Sequence, residues 1–198
     1  MTRYILLSLL LIAGGGIAGS VDSGEAVYER CALCHGLFGN SHRDKFPKLA
    51  GQNPRYLEKQ IRDFISGRRT NDGGQMASVV TEISEVDIAV VVDWFASQNN
   101  TEAADDGSDT GALLFESGGC RECHTGERIA DEPVPLLSTQ HQSYLAKQMR
   151  DFRDRRRIGD ESGLMHKQLS EYSDENIDNI AAFLAALDRQ AAGDASGN

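Results

Sequence analysis

The sequence predicts an all-α fold that contains two copies of one helical unit. The first observation is an internal repeat, because YLEKQIRDF at residues 56–64 and YLAKQMRDF at residues 144–152 agree at seven of nine positions, 88 residues apart. The second is that apolar residues recur at helical spacing in both copies, and no run alternates as a half-buried strand requires. A period this long indicates duplicated domains and not a solenoid.

The first twenty residues have the layout of a secretory signal peptide. Arg3 precedes an apolar run from Tyr4 to Ala13, and small residues follow through Ser20. The run is short for a membrane span, so we expect cleavage near Ala18 to Ser20. An uncleaved anchor is the alternative, because residues 14–18 extend the apolar run. Either outcome places the rest of the chain in an exported compartment, which we take to be the periplasm.

The predicted organisation is a signal peptide at residues 1–20, a first domain at 21–100, a linker at 101–110 and a second domain at 111–198. The linker is assigned on its polar, acidic composition. The tail from about residue 190 is rich in Gly, Ser and Ala, and we expect it to fray. The formal net charge of −10 argues against nucleic acid as a partner, because phosphates bind basic surfaces.

Each copy is predicted to contain three helices. One begins before the cysteines, at Gly24 to Tyr28 and at Gly111 to Phe115. The next covers Pro54 to Ser66 and His141 to Asp154. The last follows a serine cap and carries an apolar stripe that we expect to be buried. The caps are Ser84 and Ser173, and the stripes are Ile88, Val91, Val92 and Phe95 in the first copy and Ile177, Ile180, Ala181 and Leu184 in the second.

All four cysteines fall in two CxxCH motifs, CALCH at residues 31–35 and CRECH at residues 120–124. The paired thiols of a zinc site usually lie roughly 15 to 20 residues apart, whereas 85 residues separate Cys34 from Cys120. A redox dithiol usually accompanies a βαβ pattern, which is missing from this sequence. A structural disulfide explains neither the adjacent histidine nor the repetition. CxxCH is the signature of covalent c-type haem attachment, so the sequence predicts two haems.

The spacing of each motif has a mechanical reason. Thiols at i and i+3 lie on one side of a helical turn, where they reach the two vinyl groups on one porphyrin edge. The next residue, His35 or His124, then binds the iron from one face. The predicted thioether residues are Cys31 and Cys34 for one haem and Cys120 and Cys123 for the other.

Two methionines at matched distances are the predicted sixth iron ligands. Met76 lies 41 residues after His35, and Met165 lies 41 residues after His124, each in a Gly-x-Met pattern. A methionine on a helical face more often fills a core, but we expect these two in glycine-bearing loops before the capped helix. The other candidates are histidines without a histidine at the matching repeat position: His42, His141 and His166.

With these motifs doubled, and a proline and an amphipathic helix after each, the chain resembles the dihaem cytochromes c of the cytochrome c4 family. The most specific stretches are FPKLAGQNPRYLEKQIRDF and RTNDGGQM, both in the first copy. The resemblance implies two tandem mitochondrial-like cytochrome c domains, each built around a covalently bound haem with His/Met iron. It also implies that the carbonyls of Pro47 and Pro135 accept the ring N–H of the axial histidines.

The sequence leaves three questions about the two haem sites open. The second methionine loop is one residue longer than the first, which predicts unequal haem environments. Arg62 and Arg150, at equal positions, lie either on a solvated helix face or against haem propionates. Tyr56 and Tyr144 are expected to be core aromatics whose hydroxyls find local acceptors, with coupling between the haems as the alternative.

Iron saturated by histidine and methionine offers no position to a substrate, so we expect an electron carrier and not an enzyme. The expected function is an exported dihaem shuttle between a respiratory donor, such as a bc1-type complex, and a terminal oxidase or reductase. Contacts with these redox partners are expected to be small and transient. The alternatives are a dihaem cytochrome c peroxidase, which needs an open iron position, and a haem subunit of a larger oxidoreductase complex.

Overall fold

The computed structural model describes residues 26–100, 107–125, 132–159 and 163–187. Within these ranges the chain forms nine α-helices and no strand, which confirms the all-α prediction. The helices are α1 Val27–His35, α2 Pro54–Ile65, α3 Gln75–Val80, α4 Glu85–Ala96, α5 Asp109–Ser117, α6 Arg121–His124, α7 Gln142–Arg153, α8 Leu164–Leu169 and α9 Asp174–Ala186. The predicted signal peptide and the tail from residue 190 lie outside the described residues. No described helix has the length and apolar character needed to cross a bilayer.

The first domain is built from α1 to α4 around one apolar core. The predicted stripe of α4 is buried against an apolar face of α2, and α1 packs on α4. Ser84 caps α4 as expected, because the Asp87 carboxylate accepts its backbone N–H at 2.7 Å. The buried core residues are Leu57, Ile61, Phe64, Val80, Ile88, Val91, Val92 and Phe95.

The second domain repeats this arrangement with α5 to α9. Its predicted stripe on α9 is also buried, here against α5 and α7. The crossing of α5 and α9 is close at Gly111, where an added Cβ would lie 2.0 Å from the backbone oxygen of Asn179. The buried core residues are Phe115, Leu145, Ala146, Ile177, Ile180, Ala181 and Leu184.

The helix that carries the CxxCH motif differs between the copies. In the first domain α1 continues through the whole motif. In the second domain α5 ends at Ser117, and α6 begins only at Arg121. The break lies at Gly118 and Gly119, and the positive φ of Gly119, 67°, is a backbone conformation that glycine adopts readily. Helix α5 also starts earlier than predicted, because Asp109, which lies inside the predicted linker, already belongs to it.

The methionines are not in loops, so this part of the prediction was wrong. Met76 and Met165 each occupy the second position of a six-residue helix, α3 or α8. Each helix follows a glycine in the left-handed region, Gly74 with φ 83° and Gly163 with φ 63°. Gly-x-Met therefore marks the start of a short helix, because the glycine turns the chain just before it.

The two domains meet through reciprocal glutamine contacts that we call the glutamine pairs. Gln52 donates to the Leu136 carbonyl at 2.8 Å and accepts the Leu136 N–H at 2.8 Å. Gln140 donates to the Lys48 carbonyl at 2.9 Å and accepts the Lys48 N–H at 2.8 Å. Each amide thus binds the peptide of the residue that follows a proline of the other domain, next to the proposed histidine contact.

Candidate haem-binding sites

The structure places both motif histidines against the predicted prolines. Nδ1 of His35 lies 2.9 Å from the Pro47 oxygen, and Nδ1 of His124 lies 3.0 Å from the Pro135 oxygen. A carbonyl oxygen only accepts, so Nδ1 of each ring carries the proton and Nε2 keeps its lone pair. Burial lowers the pKa of both imidazoles, although the proline carbonyls oppose the shift. Both rings are therefore held in the neutral form that binds a metal through Nε2.

The cysteine pairs keep the turn geometry that thioether attachment needs. Cys31 and Cys34 lie one turn apart in the continuous helix α1. In the second domain the N–H of Cys123 donates to the Cys120 carbonyl at 3.3 Å, which closes a turn over the same spacing. Cys31 and Cys120 pack against the cores of their domains, and burial raises the pKa of both thiols.

The methionine helix of the first domain lies beside the core that also meets its haem-attachment segment. Met76 and Cys31 both pack against the apolar core of the first domain. The start of α3 is fixed by Asp72, whose carboxylate accepts the N–H groups of Met76 and Gly74. In the second domain Met165 is partly buried on α8, which packs on α7. Each domain therefore brings a metal-ready histidine, two thiols and a methionine to one helical unit.

Arg62 and Arg150 form ion pairs on the surface. Arg62 binds Glu85 at 2.8 Å, and Arg150 binds Asp178 at 2.8 Å. These carboxylates are more than half exposed. The structure favours the solvated-face interpretation over contact with propionates.

The buried arginines of the described chain are Arg69 and Arg157, exposed by only 5% and 6%. Arg69 donates to the Tyr144 hydroxyl at 3.0 Å, and Arg157 donates to the Tyr56 hydroxyl at 2.9 Å. Both arginines also bind the amide oxygens of Gln60 and Gln148. Each tyrosine hydroxyl thus accepts a hydrogen bond from an arginine of the opposite domain, and the expectation that its O–H finds a local acceptor stays a prediction.

This arginine cluster fits an anionic group of a cofactor. The two guanidinium groups donate to uncharged amides and hydroxyls. Nε of Arg157 is buried and has no hydrogen-bond partner among the described residues. A buried cation with an open donor is suited to a carboxylate such as a haem propionate. The arginines and tyrosines of the cluster occupy matching positions in the two repeats, which is the sequence signal for it. The sequence does not indicate that each arginine binds the tyrosine of the other copy.

The remaining histidines lie apart from this arrangement. His42 is exposed. Nε2 of His141 lies 3.0 Å from the Ser41 oxygen, across the contact between the domains. Nδ1 of His166 lies 2.9 Å from the Arg153 oxygen, and its Nε2 accepts from Arg155 at 3.0 Å. Both of the partly buried histidines thus bind the protein through a ring nitrogen.

Comparison with known proteins decides the family. The cytochrome c family model matches the chain twice, at residues 21–98 and 108–188. Cytochrome c4 of Pseudomonas aeruginosa is 36% identical to it over 92% of this chain and 98% of its own length. The chain belongs to the cytochrome c4 family. The crystal structure of reduced recombinant cytochrome c4 from Pseudomonas stutzeri superposes with a TM-score of 0.70 at 28% identity, covering 82% of this chain and 97% of that one.

Membership in the cytochrome c4 family confirms two tandem cytochrome c domains with two c-type haems as cofactors. The chain is a dihaem electron-transfer cytochrome. A further relative, named as a thiosulfate dehydrogenase electron acceptor from Thiomonas intermedia, is 29% identical over 79% of this chain and 77% of its own length.

Proposed function

We propose that the chain is an exported shuttle that carries single electrons between a respiratory donor and a terminal oxidase or reductase. The observation that supports the proposal is that each domain contains a motif histidine, held neutral against a proline carbonyl, and a methionine at the start of a short helix. Bound haem would supply one-electron chemistry, and a histidine and a methionine on each iron would leave it no position for a substrate. The proposed axial ligands are His35 and Met76 in the first domain and His124 and Met165 in the second, with thioethers to Cys31, Cys34, Cys120 and Cys123.

The surrounding residues have separate roles in this proposal. The Pro47 and Pro135 carbonyls hold each imidazole in one tautomer and make its Nε2 more basic. A methionine ligand raises the reduction potential of the iron. Arg69 and Arg157 would bind haem propionates at the contact between the domains, because a buried carboxylate needs hydrogen-bond donors.

The proposed setting is the periplasm, with a bc1-type complex as donor. The formal net charge of −10 suits basic docking surfaces, because opposite charge increases the rate of encounter. Shuttling requires fast release, so we expect small and transient interfaces.

A redox titration followed by visible spectra tests the proposal on the purified protein. We expect two haems per chain, both low-spin, with the far-red band of methionine-bound ferric haem. Met76→Ala and Met165→Ala should each remove about half of this band and lower one potential, since one of two Met–Fe bonds is lost. An unchanged band in either variant would contradict that ligand, and a high-spin haem in the wild type would favour a peroxidase.

A second candidate, a haem subunit of a larger oxidoreductase, is favoured by the relative named as an electron acceptor of thiosulfate dehydrogenase. Pull-down from membranes at low salt distinguishes the two. A stoichiometric complex that survives washing indicates the subunit, whereas a shuttle dissociates during the wash.

A further inference from the structure

We propose that the second domain positions the first domain's methionine helix, so that Met76 depends on a contact with the other haem domain. The inference rests on the proposed ligation of iron by Met76. It assigns a positioning role to Asn71 and to three residues of α7, which lie outside both ligand sets.

Asn71 joins the segment before Met76 to α7, next to Arg69, which binds Gln148 of α7 and donates to Oδ1 of Asn71 at 3.1 Å. Its Nδ2 donates to Asp151 at 2.7 Å and to Gln148 at 3.0 Å. Its carbonyl accepts from the Lys147 ammonium at 2.7 Å. Three residues of one helix in the other domain, Lys147, Gln148 and Asp151, therefore bind both the side chain and the backbone of Asn71.

Asp72, the next residue, connects Asn71 to the proposed ligand Met76. Asp72 is covalently joined to Asn71, and its carboxylate accepts the N–H of Met76. It also accepts the N–H of Gly74, the left-handed glycine before α3. A displacement of Asn71 thus moves the group that fixes the first turn of α3, where Met76 lies.

The reverse contact is weaker in the described part of the second loop. The residue matching Asn71 is Gly159, which has no side chain to bind the first domain. Lys59, the counterpart of Lys147, donates to the Gly159 carbonyl at 2.6 Å. Gly159 also lies close to the first domain, because an added Cβ would be 3.3 Å from Oδ2 of Asp63. Each loop therefore accepts a hydrogen bond from a lysine of the other domain, but only the first loop has an asparagine side chain that binds the other domain.

Loss of the Asn71 contacts should populate a form in which Met76 has left the iron. Asn71→Ala removes two hydrogen bonds to the second domain, one of them to a carboxylate. We expect the open fraction to rise about tenfold, which corresponds to about 1.4 kcal/mol. Added imidazole binds only the open form, so its apparent affinity for the first haem should rise by the same factor.

The experiment titrates imidazole into the holoprotein and follows the far-red Met–Fe band. Variants are made in a Met165→Ala background, so that the remaining band reports on Met76 alone. Asn71→Ala and Lys147→Ala are compared with that background, and the reduction potential of the first haem is read from the same samples. We expect tighter imidazole binding and a lower potential in both variants.

Lys59→Ala is the matched control, because it removes the equivalent lysine from the domain that contains Met76. The proposal requires that Lys147→Ala, in the other domain, changes the first haem more than Lys59→Ala does. A larger effect of Lys59→Ala, or an effect of both below about twofold, would overturn it. If Met76 is not an iron ligand, the result is different, because the far-red band would then persist in Met76→Ala itself.

Discussion

At the scale of single residues, Asp151 shows how a buried carboxylate joins the domains. Its side chain is only 5% exposed and accepts from Lys147, from Asn71 at 2.7 Å and from Arg156 at 2.8 Å. Burial tends to raise the pKa of Asp151, but these hydrogen bonds outweigh it, so the pKa lies below the ordinary range. The ionised form is therefore favoured by folding.

This lowered pKa predicts an acid-dependent loss of stability. An unfolded aspartate titrates near pH ~3.9, so the contribution of Asp151 is fully present above that pH and disappears as pH falls through the lower folded value. Asp151→Asn should cost about 1–3 kcal/mol near neutrality and almost nothing at the acid end. Thermal unfolding midpoints measured from pH 7 downward test this. Asp178→Asn, at an exposed partner of Arg150, is the control and should cost little at any pH. A cost for Asp151→Asn that stays constant with pH would contradict the assignment.

At the scale of elements, the crossing of α5 and α9 places Gly111 where a side chain has no room. A Cβ would lie 2.0 Å from the Asn179 oxygen and 2.9 Å from Cβ of Phe183. The sequence predicted both helices, and for α9 it also predicted the serine cap and the apolar stripe. It did not predict their closeness, because glycine in a helix gives no indication of the backbone it faces.

Gly111→Ala should force α5 away from α9 and destabilise the second domain. Overpacking of this kind costs about 1–3 kcal/mol, and here the neighbour is backbone that cannot rotate aside. Denaturant unfolding measures the loss. Gly107→Ala provides the comparison, since its added Cβ would meet only the side chain of Ala186, at 3.3 Å. Equal stability of the two variants would show that the crossing tolerates a methyl group.

At the scale of the whole molecule, local sequence patterns predicted the two domains but not the contact between them. The repeat, the caps at Ser84 and Ser173, and the CxxCH motifs are local signals, and each indicated the correct unit. The methionine helices were missed because six residues are too few for a periodic pattern. The domain contact was missed for another reason, since Gln52 and Gln140 repeat in sequence while each binds the opposite copy.

The glutamine pairs predict that the two domains unfold together. Gln52 and Gln140 are buried and make four hydrogen bonds to backbone groups across the contact. Replacing both by alanine removes about 4 kcal/mol of favourable contact at about 1 kcal/mol per bond. It also leaves the N–H and C=O groups of Lys48 and Leu136 without those partners, and separation of the domains gives these groups full access to water. We therefore expect one calorimetric transition in the wild type and two in the double variant.

The control for this experiment is Gln98→Ala, because Gln98 binds the Trp94 carbonyl inside the first domain. That variant should keep a single transition at a slightly lower temperature, since it weakens one domain without releasing the other. If the double variant also unfolds in one step, the contacts of Arg69 with Tyr144 and of Arg157 with Tyr56 must couple the domains without the glutamines. A second transition confined to the double variant assigns the coupling to peptides next to Pro47 and Pro135. The segments that contain Pro47 and Pro135 would then couple the unfolding of one domain to that of the other.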